Sequence, residues 1–71
     1  MIKFDEITEK PIECEMLFHN KLYGQHYRKG MIYKNKPLNS VVFIANDNGT
    51  VYTFSKYDFE EKPHTKDWIK I

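Results

Sequence analysis

Val41-Val42-Phe43-Ile44-Ala45-Asn46-Asp47-Asn48-Gly49-Thr50-Val51-Tyr52-Thr53-Phe54 is the stretch that decides the fold. Two β-branched and aromatic runs flank a tetrad of turn residues. Asn and Asp tolerate the left-handed backbone region and Gly enters it freely, so this pattern predicts a β-hairpin. With Asn48-Gly49 as a two-residue turn, Phe54 is expected opposite Phe43, Tyr52 opposite Ala45, and Ile44 opposite Thr53 on the other face. A three-residue loop, Asp47-Asn48-Gly49, with a glycine bulge would slip that register.

Working outward, Ile12-Glu13-Cys14-Glu15-Met16-Leu17-Phe18 alternates, which places Ile12, Cys14, Met16 and Phe18 on one face and Glu13 and Glu15 on the other. This is the pattern of a half-buried strand. Before it, Phe4 and Ile7 share one side of a single helical turn, and Pro11 stops any continuation. After it, residues 19 to 30 are polar and carry Gly24 and Gly30, which predicts a broad loop or irregular hairpin. Met31 to Lys34 restarts a strand, and Asn35 to Ser40 forms a turn around Pro37. Beyond the hairpin, Ser55 can cap a helical turn running to Phe59. Asp67-Trp68-Ile69-Lys70-Ile71 closes the chain as a short strand, with Ile69 and Ile71 on one side and Trp68 packing on the body or covering its end.

The chain has 71 residues, which suits one small domain, with residues 1 to 11 as an acidic N-terminal segment. Five Phe, five Tyr and one Trp supply bulk to a core too small to rely on numbers, and Ala45 is the only alanine. About five short strands spaced by turns predict an all-β fold: a small five-stranded barrel that removes its own edges, with one short helical turn. Cys14, Met16, Ile32, Val42, Ile44, Val51 and Phe54 are expected to include most of the buried set, with the interior face of the hairpin left open. No apolar run is longer than Val41 to Ala45, so neither a membrane span nor a signal-peptide core is expected, and the location implied is the cytoplasm. The single cysteine agrees with a reducing compartment.

Eleven Lys and Arg balance ten Asp and Glu, which argues against a strong non-specific polyanion binder. The charges are nonetheless blocked along the chain. Asp5, Glu6, Glu9, Glu13 and Glu15 crowd the first fifteen residues, whereas Met16 to Asn46 holds no carboxylate and carries Lys21, Arg28, Lys29, Lys34 and Lys36. Within that basic zone, Tyr23, His26, Tyr27, Arg28 and Lys29 interleave aromatic faces with cations, a composition suited to a protein interface anchored by arginine or to stacking on bases. Together with Lys34 and Lys36 they form the candidate partner-binding set. Alternatively, Tyr23 and Tyr27 fold back to cover one end of the domain and the cations are solvated. Glu13 and Glu15, with Asp5, Glu6 and Glu9 of the N-terminal segment, are the second candidate surface, as a mimic of nucleic-acid phosphates; the alternative is an outward strand face kept soluble by its charge. Neither the spacing of His19, His26, His64 and Cys14 nor any nucleophile or phosphate-loop motif points to a metal site, a cofactor, a small-molecule substrate or catalysis.

Several of these motifs together resemble the small SH3-like barrel proteins encoded by bacteriophages and prophages. The likeness rests on Tyr23-Gly24, on Arg28-Lys29-Gly30-Met31-Ile32 running from a broad loop into a strand, on the turn Asp47-Asn48-Gly49, and on Phe54 followed by the helical turn Ser55 to Phe59. It covers roughly residues 20 to 60. The resemblance implies an SH3-like barrel and a non-enzymatic protein-binding module that modulates a host protein. Its alternative is a nucleic-acid-binding module using the basic, aromatic loop. The chain departs from proline-peptide-binding SH3 domains, because Lys56-Tyr57-Asp58-Phe59 lies late and no acidic specificity loop follows. The acidic N-terminal segment is also extra to the likeness.

Overall fold

The computed structural model describes residues 2–20, 24–60 and 66–71. Five strands form one antiparallel sheet: β1 (Ile12–Asn20), β2 (Gly24–Asn35), β3 (Ser40–Ala45), β4 (Val51–Ser55) and β5 (Lys66–Lys70). Their order is β4-β3-β2-β1-β5, a four-strand meander with the last strand returned to the outer side of β1. The all-β class is as expected from the alternation, and so is the short helix, α1 (Lys56–Glu60). The Ser55 hydroxyl accepts a hydrogen bond from the Asp58 N–H at 3.0 Å, the capping contact that its position implied.

Among the described residues the expected barrel closure does not occur. The hydrogen-bonded ladder ends at β4 on one side and β5 on the other, so the sheet is open. What joins the two edges is side chains: the Trp68 ring lies 5.3 Å from the rings of both Phe43 and Phe54, and 5.5 Å from that of Phe59. Two five-residue edge strands curl their inner faces together around these rings without pairing.

Register explains which residues are inside. Phe43 faces Tyr52 and Val41 faces Phe54, so the loop is four residues, Asn46 to Gly49, rather than two or three. The Gly49 N–H donates to the Ala45 carbonyl at 2.9 Å, and the Ala45 N–H donates to the Thr50 carbonyl at 3.0 Å. Gly49 takes φ +70°, the left-handed conformation that a glycine at the end of such a turn adopts without strain. Relative to the two-residue turn, every pair is displaced by two positions, which preserves the faces. Val41, Phe43, Ala45, Tyr52 and Phe54 therefore share the inner side, and Val41, Phe43 and Ala45 are buried. Of the expected core, Cys14, Met16, Ile32 and Val42 are buried. Phe54 and Ile44 are half-buried, and Val51 is 58% exposed because it stands on the outer face of an edge strand. At the C-terminus, Trp68 points in, and Ile69 and Ile71 point away from the core.

The N-terminal segment fills one end of the curled sheet. The Ile2 N–H donates to the Trp68 carbonyl on β5 (2.9 Å), and the Thr8 carbonyl accepts from the Lys34 N–H on β2 (2.8 Å). Between these two anchors a 3₁₀ turn, η1 (Phe4–Glu6), carries Phe4 inward, with Ile2 and Ile7 on either side. All three are buried, and Phe4 meets Phe59 of α1 edge-on at 6.4 Å. The shared side expected for Phe4 and Ile7 is what makes them a plug.

Gly30 carries a packing constraint that its sequence context does not announce. It sits opposite Cys14 on β1 and Ala45 on β3, at the centre of the sheet. A Cβ there would lie 2.2 Å from the Ile44 carbonyl oxygen and 2.7 Å from the Phe43 ring. The oxygen belongs to a neighbouring strand and cannot rotate away. Gly30→Ala is therefore expected to lower stability by about 1–3 kcal/mol through overpacking, read as a fall in the urea midpoint; an unchanged midpoint would show that β2 and β3 can separate here without loss.

Candidate functional site

With one end plugged, the other end of the inner face is open, and register determines what lies there. β1 and β2 pair from Ile12↔Ile32 to Asn20↔Gly24, but β3 stops at Ala45, opposite Gly30. Beyond Gly30 the inner residues of the β1–β2 hairpin therefore have no ladder partner on β3. Two rows cross the exposed part of β2, β1 and β5. One is Arg28, Met16 and Trp68; the next is His26, Phe18 and Lys66. With Asp47 from the hairpin loop, Tyr52 from β4 and Tyr27, the residues of these rows other than the buried Trp68 line a cleft of about 410 Å³.

Arg28 is held on one side. Its Nη1 donates to the Tyr52 hydroxyl, and the guanidinium carbon lies 5.9 Å from the Tyr52 ring centroid. The hydrogen bond places the guanidinium toward the hydroxyl edge of the ring, so the hydrogen bond, rather than cation–π stacking, fixes it. Its Nε is 3.9 Å from the Asp47 carboxylate, which is an ion pair but too long for a hydrogen bond. The loop that carries Asp47 is itself tied to β2, since the Asn46 N–H donates to the Lys29 carbonyl at 3.0 Å. Lys66 places its ammonium 5.5 Å from the Phe18 ring centroid and 5.3 Å from that of Phe54, across the gap between the two sheet edges. The cleft thus has an apolar floor, Met16 and Phe18, with Arg28, Lys66 and His26 above it and Asp47 as its acid.

The candidate residues divide. His26, Arg28 and Tyr27 meet at the cleft, and they stand on the second strand of a hairpin, the hairpin alternative rather than the broad loop, because β2 runs without interruption from Gly24. Alternation on that strand points Arg28 inward and Tyr27 and Lys29 outward. Tyr27 is 60% exposed, so it does not fold back as a cover. Lys34 and Lys36 are at the plugged end. Lys34 holds its ammonium 4.0 Å from the Phe4 ring centroid, where Lys56 also approaches at 5.2 Å, and Lys36 pairs with Glu9 at 4.0 Å. Tyr23 and His64 lie outside the described residues. Phe18, Asp47, Tyr52 and Lys66 were not in the expected set. Extending the alternation of β2 back through His26 would have pointed to the inner face, but Lys66 joins it only through the β1–β5 register.

Cys14 is fully buried beneath this face, and desolvation pushes its thiol up to about 12. The neutral thiol is the form that the folded state keeps, so this contribution to stability is present below the unfolded pKa and is lost as pH rises from about 9 toward 12. A thiol so placed is no nucleophile at neutral pH. Alkylation by iodoacetamide at pH 8 is expected to be negligible in buffer and complete in denaturant; equal rates in both would place Cys14 at the surface.

No helix among the described residues is long and apolar enough to cross a membrane. Comparison with protein-family models, with curated proteins and with solved structures yields no match to this chain.

Proposed function

We propose that this chain is a small non-enzymatic protein-binding module of the kind that phages encode to modulate a host protein, and that the open end of the sheet is its docking surface. The observation that carries the reading is Arg28, fixed by Tyr52 at the side of a cleft floored by Met16 and Phe18. A preorganised arginine beside aromatic and apolar surface is the composition of an interface anchor: the side-chain entropy is already lost, and partner contacts add to a fixed geometry. Nucleic acid fits less well. A strand of phosphates calls for a track of cations, whereas Lys34 and Lys36 stand at the plugged end beside Phe4 and Glu9, away from Arg28 and Lys66. The cytoplasm is the compartment in which such a module would meet its partner.

The test is affinity capture from bacterial lysate with the native chain and with an Arg28→Ala, Lys66→Ala double variant of unchanged circular dichroism. A captured protein should survive nuclease treatment and moderate salt, and the variant should retain about a tenth of it or less, the loss of one to two anchors. Capture that disappears with nuclease, or that the double variant retains in full, would overturn the reading.

A further inference from the structure

The arrangement of Arg28 also says what chemistry the docking surface takes, an inference that rests on the docking role of the cleft. Tyr52 accepts from Nη1, and Asp47 stands beside Nε at 3.9 Å, beyond hydrogen-bonding reach. Among the described residues, no other acceptor bonds this guanidinium. Its remaining N–H fork is a planar, rigid donor set matched to the two oxygens of a carboxylate. The side chain is 36% exposed, so the fork is reachable from the cleft, while Asp47, 63% exposed at the tip of the hairpin loop, is close enough to be attracted and too far to be bonded. Lys66 offers a second positive charge on the same cleft, above Phe18.

We propose that the cleft takes a partner segment in which a carboxylate stands beside an apolar side chain, the carboxylate on Arg28 and the apolar group on Met16 and Phe18, and that Asp47 is the chain's own competitor for Arg28. An acidic peptide is favoured over a polyphosphate because the floor is apolar and a peptide can set a side chain on it. The internal acid lowers affinity for every acidic ligand and so sets a threshold that only a segment with both features passes.

The probe is an acetylated Glu-Phe-Glu-Phe-Glu peptide, titrated into the isotope-labelled chain and followed by amide shifts. Its Gln-for-Glu counterpart and a single-stranded oligothymidylate serve as comparisons. The acidic peptide should shift Phe18, Arg28, Tyr52 and Lys66, and the Gln counterpart should bind about tenfold more weakly, as loss of a charge-assisted pair implies. Asp47→Asn should tighten the acidic peptide about fivefold, the effect of removing one competing charge near 4 Å in a solvated site. Arg28→Gln should weaken it about tenfold, with spectral dispersion retained. The proposal is overturned by equal binding of the two peptides, by no shift at the cleft with millimolar acidic peptide, or by an unchanged or lower affinity of the Asp47→Asn variant. Tighter binding of the oligothymidylate at the same amides overturns it in favour of nucleic acid. These outcomes separate from the docking reading itself, since capture that Arg28 and Lys66 support can stand while Asp47 proves indifferent.

Discussion

Everything in this domain depends on Trp68 reaching across an open sheet. Backbone pairing accounts for four ladders and then stops, leaving β4 and β5 as separate edges. The inner face still has to leave water, and the side-chain contacts of one ring with Phe43, Phe54 and Phe59 bring those edges together. The pairs with Phe43 and Phe54 are edge-to-face, and such pairs contribute about 0.5–1.5 kcal/mol each beyond the area that they bury. In a chain of 71 residues, where net stability is a small difference between large quantities, that is a substantial share. The plug formed by Ile2, Phe4 and Ile7 completes the enclosure from one end and is fastened to the same tryptophan through its carbonyl.

Much of this was legible in the residues, and the failures have physical causes. Alternation gave β1 its faces correctly because Glu13 and Glu15 mark the solvent side without ambiguity. The hairpin gave no such mark: Val42, Ile44 and Val51 are as apolar as Val41 and Phe43, so only the packing of Phe43 under Trp68 decides between the faces. Closure into a barrel was expected because short strands usually hide their edges. Here Trp68 and the N-terminal plug remove the need for a last ladder. Residues 24 to 30 left a broad loop open beside a hairpin because they are polar; His26 and Arg28 are polar where they line the open mouth, and Lys29 where it faces the opposite side.

That same mouth accounts for the division of the basic zone. A block of cations in sequence is one surface only if the strand that carries it stays on one side. β2 is twelve residues long, and its alternation and length send Arg28 to the cleft, Lys29 to the opposite face and Lys34 to the plugged end. Tyr52 and Asp47 reach Arg28 because β3 stops at Ala45, whose small side chain faces Gly30. The site is a product of where strands end as much as of what they contain.

The β3–β4 register has a consequence for how this sequence can vary. Inner and outer residues repeat every second position, so a slip of the pairing by two positions keeps Tyr52 and Phe54 on the inner side that Trp68 covers. A slip of one position would turn Val51 and Thr53 inward and send both rings into water. The pairing therefore has a reading frame of two: the loop can lengthen at its tip by any number of residues while the ladder stays in place, but the strands can slide past one another only in even steps.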